Sequence, residues 1–304
     1  MIDPFVNPSH VQGSDAWLDE RRKHVTASEA ATILGISPWM TPYELWMDKM
    51  GLGTPVEVND VMSAGNDNER IARSAVEKRL GLEFFPICIY NKEHPFMMAS
   101  MDGVTLDAQI EKRAVEIKCG SKTHRLALEG EISDYYMAQM QHQLACLDID
   151  MIYYYSFYNE FNDFDEAAKN AVLIEVTRDD IFIENMIEKE REFWKLVKTQ
   201  TPPALTDKDY VDRENIPLWI NAGYRLSEIS NEMKILESEK KTIRDYLIKD
   251  AGNNSCCGGG VKLSRSFPAG RVNYNSIPEL ENVDLDEYRS TPKLRWTLTV
   301  GKKT

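Results

Sequence analysis

The chain is short of positive charge. Only 36 Lys and Arg stand against 49 Asp and Glu, a formal net charge of −13 over 304 residues. A surface that is basic throughout is excluded, so any grip on phosphate must come from a locally basic groove. Long apolar runs are missing too. Nothing approaches the ~20 residues that a helix needs to cross a bilayer. The first residues, MIDPFVNPSHVQGSDAW, have neither a basic start nor an apolar stretch. Neither membrane insertion nor a secretory signal is expected. Cysteine is scarce: Cys88, Cys119, Cys146, Cys256 and Cys257 form no C-x-x-C pair. That pattern speaks for reduced thiols in a cytoplasmic protein and against a zinc site. No internal repeat is visible.

What is present is ample apolar matter, 42% of residues, enough for a real core. Thr26 or Ser28, with Glu29 in the first turn, marks a helix start, and Pro38 ends that pattern. Thr41 and Pro42 open a second helix that Gly51 stops, and a third spans about 61–80 before Gly81. Strands are expected at 83–90, 96–100, 114–119, 151–158 and 171–177, with a turn at Asp102-Gly103. Helices are expected at 133–147 and 179–198. This order predicts an α/β (α+β) core, a mixed sheet covered by helices. Thr201-Pro202-Pro203 divides residues 1–205 from 206–304. Beyond it, Leu226, Ile229, Met233, Leu236, Lys240, Ile243 and Leu247 form a heptad stripe within a helix of about 216–250. Such a stripe packs on the body or on a helical partner. A flexible loop is expected at 252–260, followed by a β-rich tail.

The residues that carry chemistry cluster around the third strand, AVEIKC. Alternation puts Glu116 and Lys118 on one face. If the neighbouring strands pair, Asp102 and Glu116 converge. Two carboxylates and the Ile117 carbonyl suit Mg2+ or Mn2+, and Lys118 would orient the attacking water or neutralise phosphate charge. The competing reading is a solvated Glu-x-Lys pair, but a buried central strand demands partners for such charges. Glu69 lies on a helix side that could face the sheet, or could pair with Arg73 four residues on. Gln139 and Gln143 share one helix face, and His142 between them reads as a surface or supporting residue. Arg21, Arg22 and Lys23 form a basic cluster. Arg21 with Ser28 could hold a terminal phosphate, or Arg21 could belong to an exposed charged face.

Five runs in order, AWLDERRKHVTASEA, AGNDNERIA, SMDG, VEIKC and YYMAQMQHQL, resemble the signature blocks of the lambda-exonuclease-like, YqaJ-type viral recombinase nucleases. These belong to the PD-(D/E)XK, restriction-endonuclease-like superfamily. The resemblance implies a nuclease domain over 1–205. In it Asp102, Glu116, the Ile117 carbonyl and Glu69 hold Mg2+, with Mn2+ able to substitute. It makes Lys118 the catalytic lysine, sets Gln139 facing the site with Tyr136 nearby, and makes Arg21, Ser28 and Ser100 a pocket for a 5′-phosphate. Met101 stands where the superfamily name has Pro.

The implied activity is a phage- or prophage-type 5′-to-3′ exonuclease in the bacterial cytoplasm. It would resect linear double-stranded DNA from its ends to leave 3′ single strands. Its implied partner is a single-strand annealing protein, and its implied assembly a ring trimer. An endonuclease on the same core and a non-catalytic recombination scaffold are the rival readings.

Overall fold

The computed structural model describes residues 6–7, 15–53, 60–107, 112–159, 163–268, 270, 273, 277–280 and 283. The chain forms two compact units, Met1–Asp209 and Tyr210–Thr304. The break falls after Asp209 rather than at 205. Asp209 is tied into the first unit by the Thr41 hydroxyl, and Lys208 by the Ser37 carbonyl.

The first unit is built on a mixed sheet with strand order β1 (Val6–Asn7), β3 (Phe85–Tyr90), β4 (Met97–Val104), β5 (Ala114–Lys118), β6 (Met151–Ser156) and β7 (Val172–Thr177). β5 and β6 run parallel, and the other neighbours on this path run antiparallel. A short β2 (Val25–Thr26) pairs in parallel with β4. β3 takes one edge of β4, so β2 and β5 share the other. Val25 and Thr26 sit opposite Met97 and Met98, whereas Ala114 and Val115 sit opposite Val104 and Gly103. Between these two pairings the edge of β4 is open at Ala99 to Asp102. This fork positions the site.

Helices cover both faces. α4 (Asp60–Leu80) and α7 (Phe164–Asn170) bury Ala72, Val76 and Ala167 against Val115, Ile117, Tyr155 and Phe157. α6 (Asp134–Leu147) and α8 (Asp180–Lys198) pack Ala138, Met140, Leu144, Ile183 and Met186 with Ala114, Ile152 and Tyr154. The odd and even positions of β5 thus serve different layers, as strand alternation requires. α3 (Pro42–Lys49) starts on a capping box: Glu44 N–H donates to the Thr41 hydroxyl at 3.1 Å, and the Glu44 carboxylate accepts Thr41 N–H at 2.9 Å. α1 (Asp15–Arg22) and α2 (Ala30–Ile33) flank β2, and α5 (Ser121–Leu128) follows β5. The helices α5 and α7 are not expected from the sequence: each is a short segment without a long apolar stripe.

Two expectations are corrected. Asp102-Gly103 is not a turn but the interior of β4. Gly103 is there for close packing, since an added Cβ would lie 2.6 Å from the Phe84 Cβ and 3.0 Å from a Val115 methyl. His142 is not a surface residue. It is fully buried, donates to the Glu190 carboxylate of α8 at 2.8 Å, and lies 3.2 Å from the Met98 carbonyl. Burial alone would lower its pKa, but the adjacent Glu190 charge raises it well above the usual histidine value, so the pair is an ionic tie between α6 and α8.

In the second unit α9 (Pro217–Ala251) carries the heptad stripe, with Ile229, Met233, Leu236 and Ile243 exposed. The expected loop at 252–260 is partly a hairpin. β8 (Cys256–Gly258) pairs with β9 (Val261–Leu263) across Gly259 and Gly260, at φ 54° and 80°. Positive φ at both central residues is what a type I′ turn needs, and glycine supplies it without strain. Most of the expected β-rich tail lies outside the described residues. Among the described residues no helix is long and apolar enough to cross a membrane.

The packing at Gly103 makes a direct prediction. Gly103→Ala forces Phe84 or the strand to move and lowers unfolding stability by ~1–3 kcal/mol, measured by urea denaturation. A variant as stable as the parent chain would mean that β4 has room the packing denies.

Candidate active site

The fork in β4 opens into a cavity of about 230 Å³ lined by Trp17, Arg21, Thr26, Ala27, Ser28, Glu69, Ser100, Asp102, Glu116, Ile117, Lys118 and Gln139. All nine expected site residues other than Tyr136 are therefore brought to one place, from α1, the turn after β2, α4, β4, β5 and α6. Tyr136 stands beside it: the Lys118 ammonium lies 4.4 Å from its ring centroid, a cation–π contact.

One end of the cavity is acidic. Glu116 is 1% exposed and is gripped from three sides. Gln139 donates to Oε1 at 2.6 Å, Gln143 to Oε2 at 2.5 Å, and Lys118 forms an ion pair at 2.6 Å. The shared face of Gln139 and Gln143 is thus explained: residues one turn apart on α6 reach the two oxygens of one carboxylate. Asp102 accepts the Ile117 N–H at 2.7 Å. Glu69 pairs with Arg73 at 2.5 Å, and Arg73 also donates to the Asp102 carbonyl at 2.6 Å. The Glu69–Arg73 pair and the approach of Glu69 to the sheet are therefore both present.

These carboxylates repel one another. Burial, then the charges of Glu116 and Glu69, raise the Asp102 pKa well above the ordinary aspartate value. Burial and Glu116 raise Glu69 against the pull of Arg73. Burial would lower the Lys118 pKa, but Glu116, Asp102 and Tyr136 reverse this and raise it, so the side chain stays an ammonium. The Cys119 thiol next door is pushed up to about 12 by burial and by Asp102 and Glu69, which leaves it unreactive.

Three clustered carboxylates with surplus negative charge are a donor set for a hard divalent cation. As the side chains lie, Glu69 turns to Arg73 and Glu116 to Lys118 and the two glutamines. Among the described residues no three His, Cys, Asp or Glu groups meet at ligand distance. The donor chemistry fits such an ion. Convergence on it requires those ion pairs to loosen.

The other end is cationic and aromatic. Arg21 donates to the Ser28 hydroxyl at 3.0 Å, and its guanidinium carbon lies 4.6 Å from the Trp17 ring centroid. Trp17 Nε1–H donates to the Ser100 hydroxyl at 2.9 Å. Arg21 is only 23% exposed at its side chain, so the reading as a free helix charge is not what the structure has. Ser28 follows β2 through a turn begun by Thr26, whose N–H is accepted by Glu29 at 2.9 Å. Trp17 is the site residue that sequence reading missed, while Arg73 and Gln143 are legible as helix-face partners of Glu69 and Gln139. Gln143 was signalled by its spacing from Gln139, whereas Trp17 meets Ser100 across 83 residues with no local signal.

A mixed sheet flanked by helices carries the acids and the lysine on adjacent central strands, Asp102 on β4 and Glu116 and Lys118 on β5. Residues 16–150 match the model of the YqaJ-like viral recombinase domain. The chain is similar to the protein YqaJ of Bacillus subtilis (strain 168), 29% identical over 288 residues that cover 83% of this chain and 85% of that one. It is similar to protein R354 of Acanthamoeba polyphaga mimivirus, 27% identical over 155 residues, 47% of this chain and 28% of that protein. Among solved structures, the alkaline exonuclease LHK-Exo from Laribacter hongkongensis shares the fold at a TM-score of 0.52. It is 24% identical and covers 62% of this chain and 94% of that chain.

The buried acid cluster sets a pH-dependent stability. A raised aspartate pKa contributes stability below the ordinary aspartate value, and that contribution is lost as pH rises through the raised value. At pH 8, with divalent cations chelated, Asp102→Asn should therefore unfold at a higher temperature than the parent chain. The gain is ~1 kcal/mol, roughly 2–4 °C, and it shrinks at pH 4. Equal or lower melting at pH 8 would show that Asp102 is not under like-charge stress.

Proposed function

We propose that this protein is a Mg2+-dependent exonuclease that digests linear double-stranded DNA from its 5′ ends and leaves 3′ single strands for annealing. The observation that carries the reading is a single cavity in which a carboxylate cluster with a lysine adjoins an arginine–serine pocket. A hydrolase that cuts anywhere along a duplex has no use for the second feature. The match of residues 16–150 to the YqaJ-like viral recombinase domain and the fold shared with an alkaline exonuclease support the same reading.

Asp102, Glu116, Glu69 and the Ile117 carbonyl would hold the Mg2+, with Mn2+ able to replace it. The ion would supply Lewis-acid stabilisation of the charge that builds on the scissile phosphate. Lys118, held protonated, offers its N–H groups to the phosphate oxygens and to the water that attacks phosphorus. Gln139 and Gln143 fix the Glu116 carboxylate, so its orientation does not have to be found during the reaction. Arg21, Ser28 and Ser100 receive the 5′-terminal phosphate. The guanidinium gives two parallel hydrogen bonds, and the Trp17 ring fixes its plane. A single-strand annealing protein as partner and a ring trimer as assembly complete the proposal, with the bacterial cytoplasm as its setting.

Incubation with linear and with covalently closed circular duplex DNA tests the reading. Linear DNA should disappear only when Mg2+ is present, circular DNA should persist, and Asp102→Ala or Glu116→Ala should reduce the rate by at least ~10³-fold. Cleavage of the circle at a comparable rate would make the protein an endonuclease.

End recognition gives a second measurement. Arg21→Ala should slow digestion of 5′-phosphorylated ends by ~10- to 100-fold, the loss of a charged bidentate contact. Digestion of 5′-hydroxyl ends should change far less, so the ratio of the two rates collapses. A ratio equal to that of the parent chain would remove Arg21 from end recognition.

A further inference from the structure

Lys49 is not part of the cavity, yet its ammonium ends directly behind the arginine that lines it. The side chain is 1% exposed. Nζ donates to the Arg21 carbonyl at 2.5 Å, to the His24 carbonyl at 2.6 Å and to the Glu29 carboxylate at 2.8 Å. All three neighbours are acceptors, so the group is the three-donor ammonium rather than an amine, whose lone pair would face only oxygen. The Arg21 carbonyl lies in the last turn of α1, where it also accepts the His24 N–H at 3.3 Å and where a cation is favoured. Lys49 thus ties α3 to the end of α1 that carries Arg21.

The charges explain why a lysine stands there. Glu29 is almost buried and sits between two cations. Lys49 is 2.8 Å from its carboxylate, whereas the Arg21 guanidinium is 3.7 Å away. Arg21 instead gives its hydrogen bond to Ser28 on the cavity wall. With Lys49 present, the trio of Arg21, Glu29 and Lys49 carries one net positive charge. Without it, the trio is reduced to a neutral pair, and Arg21 becomes the nearest cation to a buried carboxylate. An unpaired buried charge is costly, so the guanidinium would be drawn back to Glu29.

We infer that Lys49 is a positioning residue for anion recognition: by taking the closer contact to Glu29, it limits Arg21 to a 3.7 Å ion pair there and leaves the guanidinium turned to Ser28 on the cavity wall, where a terminal phosphate would sit. This rests on the proposed role of Arg21 and goes beyond it, because Lys49 touches no substrate and acts only through Arg21. Glu29 in turn is kept for its local work, accepting the Thr26 N–H that shapes the turn before Ser28.

The test reads the ratio of digestion rates for 5′-phosphorylated and 5′-hydroxyl linear duplexes at fixed salt and Mg2+. Lys49→Met should lower that ratio at least about fivefold by recruiting Arg21 to Glu29, while digestion of 5′-hydroxyl ends continues and reports that the chain is folded. Adding Glu29→Gln to Lys49→Met removes the competing carboxylate and should bring the ratio back to within about twofold of the parent value. A purely structural role for Lys49 predicts no such rescue. Glu29→Gln alone should raise the ratio above the parent, and this reading stands even if Lys49→Met fails to fold. A parental ratio in Lys49→Met, no recovery in the double variant, or an unchanged ratio in Glu29→Gln overturns the inference. If Arg21→Ala itself leaves the ratio unchanged, the end pocket has failed and this inference falls with it. If Arg21→Ala collapses the ratio and the Lys49 and Glu29 variants do not move it, only the present inference is lost.

Discussion

Three carboxylates cannot be buried side by side without an organised response, and much of this molecule is that response. Glu116 enters the core on a central strand and is met by two glutamines and a lysine. Glu69 is met by Arg73, which also holds the backbone of β4. Asp102 accepts the Ile117 backbone N–H, and burial with the charges of Glu116 and Glu69 raises its pKa well above the ordinary aspartate value. The apolar layers on both faces keep water away from these groups. The same burial that costs stability keeps the electrostatics of the cavity strong.

The open edge of β4 is what lets such a cluster face outward. A strand paired along its whole length would bury Asp102 beneath a neighbour. Here β2 and β5 each take one end of the edge, and the gap between them is the cavity. The fork also decides what the acids sit beside. β2 delivers the turn that carries Ser28, and α1 delivers Trp17 and Arg21, so a cationic wall stands opposite an acidic one. A chain with a net charge of −13 thus still sets a cationic side chain on one wall of its cavity, because the relevant field is local rather than global.

Support for the cationic wall is arranged like support for the acidic one. The charges in and behind the cavity have close partners: Gln143 behind Glu116, Arg73 beside Glu69, and Lys49 against the Glu29 that lies behind Arg21. Farther out, the buried His142–Glu190 pair ties α6, which carries both glutamines, to α8. These contacts are short and enclosed, the condition under which charge pairs hold geometry rather than merely decorate a surface.

By itself the sequence determined the five longer strands of the sheet, β3 to β7, and the long helices, and it picked out the acids and the lysine; it did not show β1 or β2. Period-two alternation through Glu116 and Lys118, and the one-turn spacing of Gln139 and Gln143, are local properties of strands and helices. It misread Asp102-Gly103 as a turn, because a glycine needed for close packing against Phe84 looks the same locally as one needed for a bend. It left His142 open between a surface and a supporting residue, because a histidine's partner, here Glu190 on a distant helix, cannot be seen from its neighbours. Only the tertiary structure decided that Trp17 meets Ser100, that Lys49 backs Glu29, and that acidic and cationic groups share one cavity. Local periodicity follows from backbone geometry within a few residues, whereas charge pairing and strand-edge sharing depend on which distant segments the core brings together.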